Sequence, residues 1–132
     1  MKSVLKISKH GVKCWRLPNG LCHREKDLPA IIFPDGTKFW YVNGKRHRDN
    51  GPAVERINGD KEWWFNNYRH RTNGPAGEYI DGTKYWWFEN IQYTEEGYNE
   101  KVKDYKVEVT STQENNSYSQ GHKDGHSGLR WL

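Results

Sequence analysis

Apolar and polar residues alternate along the chain in short runs that are separated by turn-forming residues. Five runs show this most clearly: KFWYV at 38–42, AVERI at 53–57, KEWWF at 61–65, GEYI at 77–80 and KYWWF at 84–88. Alternation with a period of two, together with aromatic and β-branched side chains, is typical of half-buried strands. The pattern therefore predicts β-strands through the centre of the sequence.

Two sets of turn signals separate these runs. The first set is Asn19-Gly20, Asn43-Gly44 and Asn66-Asn67, and the second is Asp35-Gly36, Asn58-Gly59 and Asp81-Gly82. Type I′ turns need positive φ at both central residues, which Asn, Asp and Gly tolerate. We therefore expect two-residue type I′ turns at both sets, each joining two strands into an antiparallel hairpin.

The runs and turns repeat with a period of 23 residues. Trp40, Trp63 and Trp86 are spaced in this way, and three further columns share the spacing: Pro29, Pro52 and Pro75; Gly36, Gly59 and Gly82; His47 and His70. His23 lies 24 residues before His47, because HREKDLPA is one residue longer than HRDNGPA. A fourth, altered unit has Tyr93 at the histidine position and Thr94 at the arginine position. A fixed period predicts one supersecondary unit used repeatedly.

The fold class that follows is mainly β. We expect an elongated single antiparallel meander sheet of hairpin repeats over residues 1–93, with seven to nine strands. Residues 94–109 are predicted to form a capping segment, with a short helix over about 95–103 that closes the open end and a possible strand at Tyr105–Val109. Residues 110–132 are polar and are predicted to be a flexible tail that ends in the apolar LRWL.

The repeat resembles the MORN family. The resemblance rests on the 23-residue period, on NGK-x-H at Asn43–His47, and on DGTK followed by an aromatic residue at 35–39 and 81–85. Arginine follows the histidine where MORN units usually have glycine, and Gly-Pro-Ala replaces Gly-x-Gly. This His-Arg/Gly-Pro-Ala version looks like that of proteins from phages, large DNA viruses and some bacteria. The resemblance implies a non-enzymatic scaffold, with protein or lipid partners.

Composition and charge narrow the class of protein. Hydrophobic residues make up only 33% and mean hydropathy is −1.14, but aromatic residues reach 14%, which is unlike a disordered chain. No run approaches the ~18 apolar residues of a membrane span, and the first residues lack the apolar segment of a secretory signal. Residues 1–93 hold 16 Lys/Arg and 10 Asp/Glu. The repeat region is therefore modestly basic, and a cytoplasmic location is expected, in the host cytoplasm if the protein is viral.

The two cysteines are expected to lie on opposite faces of the sheet. If Asn19-Gly20 is a two-residue turn, Leu17 lies opposite Cys22 and Cys14 points to the other face. A disulfide is then not expected, which agrees with a reducing compartment. Neither cysteine stands in a Cys-x2-Cys spacing, so no zinc site and no other metal or cofactor is predicted.

Strand alternation assigns the aromatic residues to two faces. One face carries Trp40, Trp63 and Trp86 with Val42, Phe65 and Phe88, and His47 and His70 lie opposite Trp40 and Trp63. The other face is predicted to be the binding surface, with these residues: Tyr41, Trp64, Trp87, Arg46, Arg48, Arg69 and Arg71. The first face is expected to be covered by sheet curvature, by the C-terminal segment or by a second copy in a homodimer.

Candidate chemistry favours binding over catalysis. The histidines recur at one repeat position, whereas active sites are usually asymmetric constellations, so we expect packing roles and no catalytic residue. The arginines either form a lattice with aromatic and acidic side chains or contact a ligand. The leading hypothesis is a non-enzymatic protein-binding module, of phage or viral origin and acting on a host protein, as the resemblance implies. The alternative is a protein that binds single-stranded nucleic acid or an anionic ligand.

Overall fold

The computed structural model of the protein describes residues 2–115, with side chains described as far as residue 107. Thirteen short strands precede one helix in this part of the chain. They are β1 (Val4–Ile7), β2 (Lys13–Arg16), β3 (Ile31–Ile32), β4 (Lys38–Phe39), β5 (Tyr41–Val42), β6 (Lys45–Arg46), β7 (Val54–Glu55), β8 (Lys61–Glu62), β9 (Trp64–Phe65), β10 (Tyr68–Arg69), β11 (Gly77–Glu78), β12 (Lys84–Phe88), β13 (Ile91–Tyr93) and helix α1 (Glu95–Asn115). A mainly β fold of antiparallel hairpins with a C-terminal helix is confirmed.

Nine strands form one antiparallel sheet in the order β1-β2-β3-β4-β7-β8-β11-β12-β13. The hairpins β5–β6 and β9–β10 lie outside this hydrogen-bond order, so the meander is interrupted where one continuous path was expected. The chain returns to the sheet after each Gly-Pro-Ala segment. There the Trp40 and Trp63 amides each donate to the carbonyl of a buried alanine, Ala53 and Ala76, at 2.8 Å.

Backbone bonds also join each outer hairpin to its neighbour. Asn67 N–H donates to the Arg46 carbonyl at 2.9 Å, and the Asn67 side-chain oxygen accepts from the Arg46 N–H at 2.8 Å. Asn90 makes the same two contacts with Arg69, at 2.9 and 3.3 Å. An asparagine at the second turn position therefore ties one hairpin to the next, and the outer hairpins form a second row beside the main sheet.

The two sets of turns differ in type. Asn43-Gly44 and Asn66-Asn67 have positive φ at both residues, as a type I′ turn requires. In the second set only the glycine is positive, for example Gly59 at +104°. The bonds Arg56 N–H to the Asp60 carbonyl and Gly59 N–H to the Arg56 carbonyl, both 2.9 Å, define a three-residue loop of the type that ends in a glycine bulge. The type I′ prediction was therefore wrong for Asp35-Gly36, Asn58-Gly59 and Asp81-Gly82.

Asn19-Gly20 is a three-residue loop as well, and this moves the cysteines. Gly20 alone has positive φ, Leu17 N–H donates to the Leu21 carbonyl at 2.9 Å, and Arg16 pairs with Cys22. The register is thus shifted by one residue from the predicted one. Since a one-residue shift reverses the face of every side chain, Cys14 and Cys22 share a face with their sulfur atoms 3.7 Å apart. The prediction of opposite faces was wrong.

Stacked turns give a stability prediction for glycine. A Cβ atom on Gly59 would lie 2.9 Å from Cγ2 of Ile80, whereas a Cβ atom on Gly82 would have no neighbour within 4 Å. Both glycines have positive φ, so each alanine variant pays a conformational penalty of roughly 1–2 kcal/mol. Gly59→Ala also displaces Ile80, and we expect it to unfold at lower guanidinium concentration than Gly82→Ala. Equal unfolding midpoints for the two variants would show that the contact between neighbouring turns does not contribute to stability.

The main sheet presents two different faces. Direct cross-strand pairing places one row on the first face: Ile31, Phe39, Val54, Glu62, Gly77 and Tyr85. Alternating lysine and glutamate form the row on the second face: Lys38, Glu55, Lys61, Glu78 and Lys84. Opposite charges in directly paired positions stabilise a sheet. We name the first the arginine face, after arginines 46, 56 and 69, and the second the tryptophan face, which carries Trp40, Trp63 and Trp86.

Helix α1 caps the last repeat on the tryptophan face. The Thr94 hydroxyl accepts from the Gly97 N–H at 3.1 Å, which is an N-cap, and acidic residues occupy the first turn. Tyr98, Val102 and Tyr105 are at most 7% exposed and pack with the buried Phe88. Their spacing is that of one helix face, and the predicted closure of the sheet end by a helix is confirmed.

The helix is longer than the sequence pattern indicated. It continues to Asn115, so the predicted strand at Tyr105–Val109 does not form and residues 110–115 are helical. Tyr105 is buried while Val107 is 62% exposed, because α1 turns Tyr105 toward Phe88. The rest of the predicted tail, including LRWL at its end, lies outside the described residues. In the described part of the chain, no helix has the length and apolar character needed to cross a bilayer.

Candidate functional site

The outer hairpins position two arginines of the candidate site. Arg46 on β6 pairs with Tyr41 on β5, and Arg69 on β10 pairs with Trp64 on β9. This register follows from the two-residue turns at Asn43-Gly44 and Asn66-Asn67, and it is the register predicted from the sequence. Directly paired side chains project to the same face, so both arginines lie beside an aromatic ring of the arginine face.

Arginines and rings alternate along this face. The guanidinium carbon of Arg46 lies 5.0 Å from the ring centre of Phe39 and 4.8 Å from that of Trp64. The guanidinium carbon of Arg69 lies 5.1 Å from Trp64 and 5.3 Å from Trp87. These separations are within the ~6 Å range of cation–π attraction. Arg46 also donates from Nη2 to the Tyr41 hydroxyl at 3.1 Å. Tyr41, Trp64, Trp87, Arg46 and Arg69 are thus brought together as predicted.

A buried carboxylate lies at the centre of the arginine face. Glu62 is 6% exposed and accepts from Trp64 Nε1 at 3.0 Å and from the Tyr79 hydroxyl at 3.3 Å. Arg69 and Arg56 approach the same carboxylate, with Nη2 to Oε2 distances of 3.5 and 3.8 Å. Burial, and then the Glu62 charge, raise the pKa of Tyr79. Several donors are needed to hold one buried charge, so Glu62 fixes the conformation of the surrounding side chains.

The last repeat lacks this carboxylate. Tyr85 pairs with Gly77 in the row of Glu62 and lies 23 residues after it, and it is 40% exposed. Trp64 donates its indole N–H to Glu62, whereas the buried indole N–H of Trp87 has no acceptor among the described residues. The arginine face therefore has less negative charge toward β12 than at its centre. Arg56 and Arg69 remain accessible beside Glu62, with 43% and 22% of their side chains exposed.

Arg48 and Arg71 do not belong to this face. Arg48 lies 3.9 Å from the Trp40 ring centre and Arg71 lies 3.7 Å from that of Trp63. Each also donates from Nη1 to the carbonyl of the proline four residues later and to a glutamate of the tryptophan face, as these pairs show: Arg48 with Pro52 and Glu55, and Arg71 with Pro75 and Glu78. Their placement with Tyr41 and Trp64 was wrong, because strands β6 and β10 end at Arg46 and Arg69 and alternation does not continue beyond them.

The histidines also make contacts inside the repeat. Nδ1 of His47 accepts from the Asn66 N–H at 3.1 Å, and Nδ1 of His70 accepts from the Glu89 N–H at 2.8 Å. His47 lies opposite Trp40 as predicted, while its ring packs on Phe65 of the next hairpin at 4.3 Å. Nε2 of His47 is 2.9 Å from Asp49, a carboxylate that the sequence alignment did not associate with it. With both ring nitrogens engaged, His47 holds the turn of the next repeat.

Clefts on the tryptophan face repeat with the units. One of 310 Å³ is lined by the loops that carry His23–Asp27 and His47–Asn50, and one of 320 Å³ by those that carry Arg48–Gly51 and His70–Asn73. Their guanidinium groups are those already bonded to proline carbonyls and stacked on tryptophan. Among residues 2–115, no group of three or more histidine, cysteine or acidic side chains could hold a metal ion. These clefts therefore present polar loops with most of their charge already paired.

Sequence reasoning missed Arg56 and Tyr79 on the arginine face, and it gave Glu62 only as one of the acids near the arginines. A signal for them exists in the alignment. Shifting the sequence by the repeat length puts Glu62 in the column of Phe39 and Tyr85, and Tyr79 in the column of Arg56. A charged residue in an otherwise aromatic column indicates a buried charge that needs partners. The arginine face thus has a carboxylate at its centre and aromatic residues toward both ends.

The chain matches no known protein in any of three comparisons, with protein-family models, with curated proteins and with solved structures.

Proposed function

We propose that the protein is a non-enzymatic binding module that docks a protein partner on the arginine face. The observation that carries the proposal is the ladder of Tyr41, Arg46, Trp64, Arg69 and Trp87, in which guanidinium groups alternate with rings. Tryptophan, tyrosine and arginine are the residue types that most often dominate the binding energy of protein interfaces. Helix α1 packs on the tryptophan face at the last repeat and does not cover the arginine face.

The charge of the face defines the partner chemistry. Arg46, Arg56 and Arg69 bring three positive charges, and Glu62 brings one negative charge that is already neutralised by the arginines beside it. A partner with acidic residues next to apolar ones would complement this surface, since complementary potentials raise the association rate and the specificity. The resemblance to MORN repeats of phages and large DNA viruses extends the proposal to an accessory protein that acts on a host protein in the host cytoplasm.

A protein partner is favoured over single-stranded nucleic acid by the occupation of the rings. Base stacking needs free aromatic faces. The Trp64 ring already has two guanidinium groups about 5 Å from its centre, those of Arg46 and Arg69. Nucleic-acid or anionic-ligand binding remains the alternative that the experiment separates, and a homodimer through one face is a further outcome.

The test compares two double variants that remove equal charge. Arg46→Ala with Arg69→Ala removes two charges from the ladder, and Lys61→Ala with Lys84→Ala removes two from exposed positions of the tryptophan face. A peptide-display library is screened against the immobilised full chain, and the enriched peptides are titrated by tryptophan fluorescence. We expect acidic-apolar peptides to be enriched, with affinity at least tenfold weaker for the arginine variant and nearly unchanged for the lysine variant.

Controls separate folding and ligand class from binding. Both variants are first checked by circular dichroism and thermal melting, so that a loss of binding is not a loss of fold. Single-stranded oligonucleotides are titrated in parallel at several salt concentrations, because phosphate contacts give a steep salt dependence. Equal weakening by both variants would reject the arginine face as the docking surface. Tight, salt-sensitive oligonucleotide binding without peptide enrichment would support the alternative function.

A further inference from the structure

The thiol groups of Cys14 and Cys22 lie at one end of the arginine face. Cys14 pairs with Ile31 as Phe39 pairs with Val54, so Cys14 occupies the sheet position of Phe39. Cys22 precedes His23 as Arg46 precedes His47. The two thiols therefore meet where the next repeat places the guanidinium group of Arg46 over the Phe39 ring. In the first unit a pair of sulfur atoms replaces a cation–π contact.

The backbone around the pair is fixed by hydrogen bonds on both sides of the turn. Leu17 N–H donates to the Leu21 carbonyl at 2.9 Å, and His23 N–H donates to the Trp15 carbonyl at 3.0 Å. Strand β2 also pairs with β1 on one side and with β3 on the other. The sulfur atoms, both in half-buried side chains, are 3.7 Å apart. A disulfide has its sulfur atoms ~2.05 Å apart, so the two sulfur atoms are separated by about 1.6 Å more than in a bond.

We propose that Cys14 and Cys22 form a redox modification site, at which a low-molecular-weight disulfide converts the two thiols into an intramolecular disulfide. One cysteine thiolate attacks a sulfur atom of the small disulfide, forms a mixed disulfide and releases one small thiolate. The second cysteine then attacks the protein sulfur atom of that mixed disulfide and releases the other. Two electrons and two protons pass from the protein to the small disulfide, which becomes two thiols.

Two properties of the pair bear on this reaction. Burial, and then the neighbouring Cys14, raise the pKa of the Cys22 thiol above its usual value, so the thiol of Cys22 exchanges slowly at neutral pH and faster at higher pH, where more of it is thiolate. The cysteines span a loop of only nine residues, and this loop is already closed by the turn. The inference concerns the first repeat alone and holds whether or not the arginine face docks a partner.

The experiment equilibrates the full chain with reduced and oxidised glutathione at several ratios, in native buffer and in concentrated urea. Samples are acid-quenched, and free thiols and intact mass are measured. Tryptic digestion without reductant should yield residues 14–16 linked to residues 17–24. We expect the equilibrium constant for the intramolecular disulfide to be at least tenfold larger in the folded chain than in urea, because the fold holds the sulfur atoms together.

A variant with one thiol moved provides the control. Leu21→Cys combined with Cys22→Ser keeps two cysteines and shifts one of them by a single residue, to an exposed position of the opposite face. This variant should accumulate glutathione adducts in place of the internal disulfide when folded, and should match the native sequence in urea. Glutathione adducts or intermolecular dimers as the main products of the native sequence would overturn the inference. So would equal equilibrium constants with and without urea.

Discussion

Replacing Tyr98 with alanine is expected to lower the free energy of unfolding by about 3 to 5 kcal/mol, as for other large buried aromatic side chains. Tyr98 is 2% exposed and its ring lies 5.0 Å from the ring of Trp86. Arginine stacks at the equivalent tryptophans of the preceding repeats, with Arg48 on Trp40 and Arg71 on Trp63. Helix α1 thus places Tyr98 beside Trp86, at the position where the preceding repeats place an arginine.

The phenol oxygen of Tyr98 has a separate contribution. It donates to the Arg71 carbonyl and accepts from the Gly74 N–H at 3.2 Å. Tyr98→Phe keeps the ring and loses these bonds, so we expect a cost of roughly 1 to 3 kcal/mol from the unsatisfied backbone groups. Val107→Ala, on the exposed side of the same helix, should change stability by less than ~0.5 kcal/mol.

Chemical denaturation of the three variants, followed by tryptophan fluorescence, measures these differences. A small effect of Tyr98→Ala, equal to that of Val107→Ala, would mean that α1 does not cap the sheet. If Tyr98→Phe were as damaging as Tyr98→Ala, the hydrogen bonds and not the ring would hold the helix. We expect the loss of unfolding free energy to be largest for Tyr98→Ala, smaller for Tyr98→Phe and smallest for Val107→Ala.

The repeat made much of the fold predictable from the sequence. The 23-residue period and the Asn-Gly pairs located the hairpins, and the two-residue turn at Asn43-Gly44 gave the register that sets Arg46 beside Tyr41. The alternating pattern also separated the two aromatic faces correctly for all positions inside strands. These features depend on local turn chemistry and on the period of two, and both can be read from consecutive residues.

What the sequence did not determine was decided by contacts between repeats. Asn58-Gly59 suits a two-residue turn and also a three-residue loop, and the loop is stabilised by a contact between turns, from the Ile57 N–H to the Thr37 hydroxyl at 3.1 Å. The same ambiguity at Asn19-Gly20 reversed the predicted face of Cys22. Such contacts join residues about 20 positions apart, so no local pattern shows them.

Alternation was also applied where it does not hold. Arg48 and Arg71 follow the last residues of β6 and β10, and the chain beyond those strands turns toward the tryptophan face. The segment YKVEV alternates, but Tyr98, Val102 and Tyr105 share one face of a helix. A helix that is capped by Thr94 and packed against Phe88 gains more from burying these three side chains than a short edge strand would gain. Tertiary packing overrides the local pattern there.

Acidification should destabilise the protein through His70. Burial lowers the pKa of His70 to about 3, from an ordinary value of 6.5. Below pH 6.5 the unfolded chain binds a proton at this residue and the folded chain does not, so the free energy of unfolding falls as the pH falls from about 6.5 toward 3. The slope approaches about 1.4 kcal/mol per pH unit, and the total loss from this residue is on the order of 3 to 5 kcal/mol. Above pH 7 the histidine is neutral in both states and contributes no slope.

His70→Asn isolates this effect, because an asparagine oxygen can still accept the Glu89 N–H that Nδ1 accepts in the native chain. The variant should be less stable at pH 7, but its unfolding free energy should fall less steeply between pH 6.5 and 5, a range above the ordinary pKa of carboxylates. Val102→Ala serves as the matched control, since it removes buried apolar atoms near the same cluster without removing a titratable group. It should lower stability at every pH and keep the native slope. Parallel curves for the native chain and His70→Asn would show that His70 takes up its proton equally in both states, and that the buried row of histidines and rings does not make the fold sensitive to acid.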